Sequence, residues 1–131
     1  MMFDDFRDTT EAVGYVPLKT PEQRHLVPAL IVIGGKAFGQ SFTLDSDLTV
    51  IGRGPKSDIH LDDDGVSREH AQVVRAEEEW LYVDLNSTNG SYYDGEAVQV
   101  LTLRDGDKLQ LGTGTILRFQ YQDLVDERYQ R

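Results

Sequence analysis

The chain has 131 residues, 39% of them hydrophobic, no cysteine and a formal net charge of −10. That length suits one domain with a core of its own, while the lack of cysteine excludes disulfides, zinc–thiolate sites and thiol chemistry. The acidic balance argues against nucleic acid. No apolar run approaches the roughly 18–20 residues that span a bilayer, and the N-terminus is acidic, so a cytoplasmic protein without membrane contact is expected.

Residues 1–28 hold three of the four prolines (Pro17, Pro21, Pro28), whereas eleven of the twelve glycines come later. Asp4, Asp5, Asp8 and Glu11 surround Thr9 and Thr10, and no sustained hydrophobic period appears. A flexible N-terminal tail is expected here. From Ala29 short β-like runs alternate with turn residues. Leu30 to Ile33 is an apolar run stopped by Gly34-Gly35, and Phe42 and Leu44 share one face. Leu48 to Ile51 leads into Gly52-Arg53, and Ile59 and Leu61 alternate around His60. Ala71, Val73, Trp80, Tyr82 and Val83 fill two longer strands, joined by a charged tip at Glu77-Glu78-Glu79. Asp94-Gly95 predicts a tight two-residue hairpin, since both residues accept positive φ. Val98, Val100, the turn Arg104 to Asp107, Leu109, Leu111 and Thr115 to Tyr121 complete the series. About ten short strands at this spacing predict an all-β sandwich over residues 29–121. Beyond it Tyr121, Leu124, Val125, Arg128 and Tyr129 match helical spacing, with Asp123 as a cap. A short helical segment over 122–131 is expected, ending the domain or leading into another.

Two runs carry the chemistry. One is Ile51-Gly52-Arg53, continued by Ser57-Asp58-Ile59 and Val66-Ser67-Arg68-Glu69-His70; the other is Asp84-Leu85-Asn86-Ser87-Thr88-Asn89-Gly90. Backbone N–H groups and short polar side chains at strand ends cradle anions, and one arginine grips a phosphate with parallel charge-assisted bonds. The pattern predicts a site for one phosphate group. Ser67 and His70 lack the third orienting group and oxyanion hole of a hydrolase, so no catalytic residue is assigned. Asp62-Asp63-Asp64 lacks the spread of ligands in a calcium loop and reads as a solvated turn. No metal and no cofactor are expected. Trp80, Tyr82 and Phe119 read as core.

These runs, together with Gly106-Asp107-Lys108-Leu109, make the chain resemble a forkhead-associated (FHA) domain from about Ala29 to Tyr121. The resemblance implies an FHA-type β-sandwich of about eleven strands that binds phosphothreonine peptides with the loops at one end. By position, Arg53 and the Ser67 hydroxyl would contact the phosphate, with Arg68 beside them as a more exposed donor. Thr88 would line the phosphothreonine pocket, and Asn89 would hold the peptide backbone. Gly52, His70 and Gly90 would support the site, with His70 tying the loops together. Asp94 and Ser91 depart from the common family residues. The loops around Gly65 and Gly112-Thr113-Gly114 offer no basic selector, so a neutral or aliphatic preference is expected three residues after the phosphothreonine.

The function this implies is phosphothreonine-peptide recognition in bacterial Ser/Thr kinase signalling. Asp8-Thr9-Thr10-Glu11 resembles the acidic double-threonine motif ahead of some bacterial FHA domains, whose phosphorylated tail occupies its own pocket. Thr10 is favoured over Thr9, because Val13 follows it at the selecting position. The expected partners are therefore a phosphothreonine protein or the chain's own tail, and a Ser/Thr protein kinase. Two alternatives stay open: a phospho-independent scaffold, or the sensor region of a larger output enzyme such as a diguanylate cyclase.

Overall fold

The computed structural model describes residues 26–123. Within them the chain forms eleven strands. In chain order these are β1 (Leu26–Gly34), β2 (Ser41–Thr43), β3 (Leu48–Gly52), β4 (Ile59–His60), β5 (Ala71–Ala76) and β6 (Glu79–Asp84). There follow β7 (Ser91–Tyr93), β8 (Glu96–Ala97), β9 (Val100–Thr102), β10 (Lys108–Leu111) and β11 (Thr115–Asp123). They build two sheets, ordered β2-β1-β11-β10-β7-β8 and β4-β3-β5-β6-β9. Only the β3–β4 pair among these strands is parallel.

Period-two patterning closes the sandwich. Thr115, Leu117 and Phe119 of β11 point inward while Arg118 is exposed, and Trp80, Tyr82 and Asp84 of β6 do the same from the other sheet. Leu30, Ile51, Leu61, Tyr82, Leu111, Leu117 and Phe119 meet in one fully buried core. Each such side chain contributes about 1.5–3 kcal/mol relative to exposure. The Asp94-Gly95 hairpin forms as expected: both residues take positive φ, 52° and 82°, between β7 and β8.

Two expectations about the ends change. β1 opens at Leu26, inside the stretch read as tail to residue 28, and pairs residue by residue with β11 from Leu26↔Asp123 onward. β11 therefore runs through 122 and 123, where a helix was expected to begin. Its neighbour β1 supplies ladder bonds along this length, an advantage that local helical spacing cannot match. The helical reading of residues 124–131 and the threonines Thr9 and Thr10 lie outside the described residues. Among the described residues no helix is long and apolar enough to cross a membrane.

Candidate functional site

Four loops meet at one end of the sandwich: β3–β4, β4–β5, β6–β7 and β10–β11. Arg53 leaves β3 into the first. Its N–H donates to the Ser67 carbonyl at 2.9 Å and its Nε to the Val66 carbonyl at 3.0 Å. The guanidinium is thereby fixed along the β4–β5 loop. Its two Nη groups have no hydrogen-bond partner among the described residues. Gly52 makes this approach possible, because a Cβ there would collide with the Arg68 carbonyl. That carbonyl instead accepts the Gly54 N–H at 3.0 Å and the Ser57 hydroxyl at 3.1 Å.

The third loop is stitched to the second. Ser67 Oγ accepts the Thr88 N–H at 2.9 Å. Its own proton, the one a hydroxyl can donate, has no acceptor among the described residues. Asn89 Nδ2 donates to the Gly65 carbonyl at 3.1 Å. The side chains of Arg68, Thr88 and Asn89 are exposed around this mouth.

His70 lies beneath it, fully buried. The Ser67 N–H donates to Nδ1 at 3.0 Å, so Nδ1 is unprotonated. Nε2 therefore carries the proton and donates to the Gly90 carbonyl at 2.9 Å. The His70 backbone adds bonds to Ile51 and Leu85, so one residue reaches β3 and two loops. Burial pushes its pKa below 6.5, against the pull of the Gly90 carbonyl and the Asp84 carboxylate.

The β6–β7 loop is built on Asp84, whose buried carboxylate accepts the Ser87 N–H (3.0 Å), the Ser87 hydroxyl (2.6 Å) and the Ser91 hydroxyl (2.7 Å). Ser87 Oγ in turn accepts the Gly90 N–H at 3.0 Å, where the chain turns at φ 85°. Ser91 spends its proton on Asp84, so the buried Tyr82 hydroxyl is the donor in their 2.7 Å bond. Burial pushes the Asp84 pKa up, but the Ser87 and Ser91 bonds outweigh it and hold the carboxyl below 3.8.

The structure thus joins Arg53, Ser67, Thr88 and Asn89 through direct loop-to-loop bonds, with His70, Gly52 and Gly90 in the frame. Arg68 contributes its carbonyl to that frame and leaves its side chain outside. Three supporting residues escaped the sequence reading. Tyr82 was read as plain core and Ser91 only as a departure from the common family residue, yet both anchor the Asp84 network. Asp63 was read as part of a solvated turn. It accepts the Gly65 N–H at 2.9 Å and the Thr115 hydroxyl at 2.6 Å, tying the β4–β5 loop to the first sheet. Its spacing two residues before Gly65 is the available signal, since Asp side chains bond the backbone two residues on.

The FHA domain model matches residues 49–112, the span that contains the first three loops. The oxoglutarate dehydrogenase inhibitor of Corynebacterium glutamicum is 36% identical over 113 residues, 83% of this chain and 78% of that relative. This chain belongs to the FHA domain family. The FHA domain also resembles glycogen accumulation regulator GarA of Mycobacterium tuberculosis, 43% identical over 83 residues, 63% of this chain and 51% of that protein. The chain thus spans about half to three-fifths of several curated relatives, 51% to 58% of their length. Among solved structures, an FHA domain from a study of phosphothreonine-dependent FHA interactions superposes with a TM-score of 0.66 at 32% identity, covering 75% of this chain and 99% of that one. EmbR of M. tuberculosis, solved with a low-affinity phosphopeptide, gives 0.70 at 30% identity over 82% of this chain and 27% of that one.

Proposed function

We propose that this FHA domain holds phosphothreonine with Arg53, Ser67, Arg68, Thr88 and Asn89, in a pathway driven by a Ser/Thr protein kinase. One observation carries the assignment. Among the described residues the Arg53 guanidinium is anchored through Nε, neither Nη group has a partner, and the Ser67 proton has no acceptor on the loop that Nε grips. A phosphothreonine brings about −1.5 to −2 charges and three acceptor oxygens, matching that set of donors. Each hydrogen bond to a charged group contributes about 1.5–3 kcal/mol. Discrimination against phosphoserine rests on the extra methyl, worth about 1–3 kcal/mol when packed.

The favoured ligand within the chain is its own tail, phosphorylated at Thr10 or, second, at Thr9. Residues 11–25 link Thr10 to β1 and extend to about 50 Å, far more than the span of one domain. Tethering supplies an effective concentration on the order of millimolar. Phosphorylation then fills the mouth and excludes other partners. Relatives named for inhibiting oxoglutarate dehydrogenase and regulating glycogen accumulation make a metabolic enzyme the first such partner to test. Calorimetry with tail peptides, phosphorylated at Thr10 or unmodified, tests the reading. Binding of the phosphorylated form alone is expected, and equal binding of both would favour a phospho-independent scaffold.

A further inference from the structure

The outer face of the second sheet is the more apolar of the two. On the first, Arg118, Gln120, Lys108 and Gln110 break up the outward aliphatics Ile31 and Ile116. On the second, the outward positions are aliphatic except for Gln72 and Thr102. The register places Leu48, Val74, Leu81 and Thr102 in one row across β3, β5, β6 and β9. Val50, Gln72, Val83 and Val100 form the next row. Directly opposite side chains of this kind have Cβ atoms about 5 Å apart, so the rows make one surface. Leu48 is 50% and Val100 55% exposed.

The position of this face is specific. Along β3 the Val50 row lies about 10 Å and the Leu48 row about 17 Å from Arg53. Leu26, where the described chain begins, lines one cleft with Asp47, Arg75 and Trp80. Those three are the sequence neighbours of Leu48, Val74 and Leu81. Successive side chains of a strand point to opposite faces, so this cleft lies behind the Leu48–Val74–Leu81 row, at the end of the second sheet away from Arg53, and a tail leaving at Leu26 reaches the apolar face by rounding that end. A second copy is a poor occupant: the chain carries −10 charges. The two rows also cover on the order of 300 Å², against the ~800 Å² per partner of a stable interface.

We infer that Tyr15-Val16-Pro17-Leu18 packs on this face when phosphorylated Thr10 sits at Arg53, an inference that rests on the reading of the site above. The four residues lie five to eight positions after Thr10, a reach of at most about 17–27 Å, enough for a chain short of full extension to set them on rows about 10 and 17 Å from Arg53. Seven more residues, 19–25, complete the path to Leu26. Pro17 has no N–H and cannot extend a ladder, so the segment engages the face through side chains, leaving Val13 to the groove beside the phosphothreonine. Phosphate and apolar segment then act as two linked contacts.

The test uses the unphosphorylated full chain and two synthetic peptides, residues 6–14 and 6–20, each phosphorylated at Thr10. Calorimetry is expected to show the longer peptide binding about tenfold tighter. That advantage disappears when Tyr15, Val16 and Leu18 of the peptide are changed to serine, which leaves the domain untouched. The protein variant L81T/V83T keeps strand-compatible residues and binds 6–14 as the wild type does, but no longer prefers 6–20. Equal affinity of the two peptides for the wild type overturns the inference, as does a preference that survives in the variant. Failure of both peptides to bind removes the self-recognition reading itself, and this inference with it.

Discussion

Arg53→Lys keeps the charge and removes the fork, and the structure assigns that change a size. In the wild type Nε is committed to the Val66 carbonyl, and two Nη groups remain for phosphate. A lysine ammonium is a point charge with no comparable division of labour. Turned toward Val66 it abandons the phosphate, and turned toward the phosphate it leaves the loop carbonyl unpaired. One of two charge-assisted bonds is lost, about 1.5–3 kcal/mol, or roughly 12–160-fold in affinity. Arg53→Ala forfeits both, about 3–6 kcal/mol. The Nε bond also steadies the half-buried β4–β5 loop. Its loss costs about 1 kcal/mol, which lowers the melting temperature of a domain this size by about 4–8 °C. Calorimetry against a phosphothreonine peptide selected from an oriented library, with a thermal melt of each variant, reads both quantities. Wild-type affinity in Arg53→Lys would refute the division of labour. A variant that loses binding only because it is unfolded would show itself in the melt.

The remaining predictions concern the stitches between loops. Ser67→Ala removes a donor to phosphate and the acceptor of the Thr88 N–H, so binding weakens by about 1.5–3 kcal/mol; Ser67→Thr, which keeps the hydroxyl, should recover part of it in the same titration. His70→Ala lowers the melting temperature at pH 7.5, since it severs the bonds to Ser67 and Gly90. His70 also gives the wild type a pH dependence of known sign. Its folded pKa is depressed, with the unfolded value near 6.5, so its stabilisation is complete above that pH and lost as pH falls through the folded value. A wild-type melting temperature no more pH-sensitive than that of His70→Ala, measured from pH 7.5 down to 5, would contradict this.

The site was largely legible in the sequence because its parts are local. Gly52-Arg53 needs glycine beside a carbonyl, and Ser67 and His70 lie on one loop, where three residues suffice to close the Ser67 N–H onto Nδ1. The hidden parts are the long-range ones. Nothing in the order Asp84, Ser87, Ser91 reveals that the Tyr82 hydroxyl is their buried donor, because that fact depends on where the opposite sheet removes water. Asp63 looked solvated because its partner Thr115 is 52 residues away. The ends were misread for the same reason. Helical spacing near Tyr121 is a local signal, whereas the pairing of Leu26 with Asp123 brings together opposite ends of the domain. Outward aliphatics such as Val83 went unseparated from the inward ones beside them, since composition alone does not tell the two faces of a strand apart.

Pairing Leu26 with Asp123 has an architectural result. The backbone enters and leaves the domain at adjacent points, while Thr115, at the other end of β11, sits among the binding loops about 27 Å away. Splicing the domain into a surface loop of a host protein would hardly stretch that loop, because the two junctions are cross-strand neighbours. The recognition mouth would face outward from such a graft, clear of the host, whatever fold the host had.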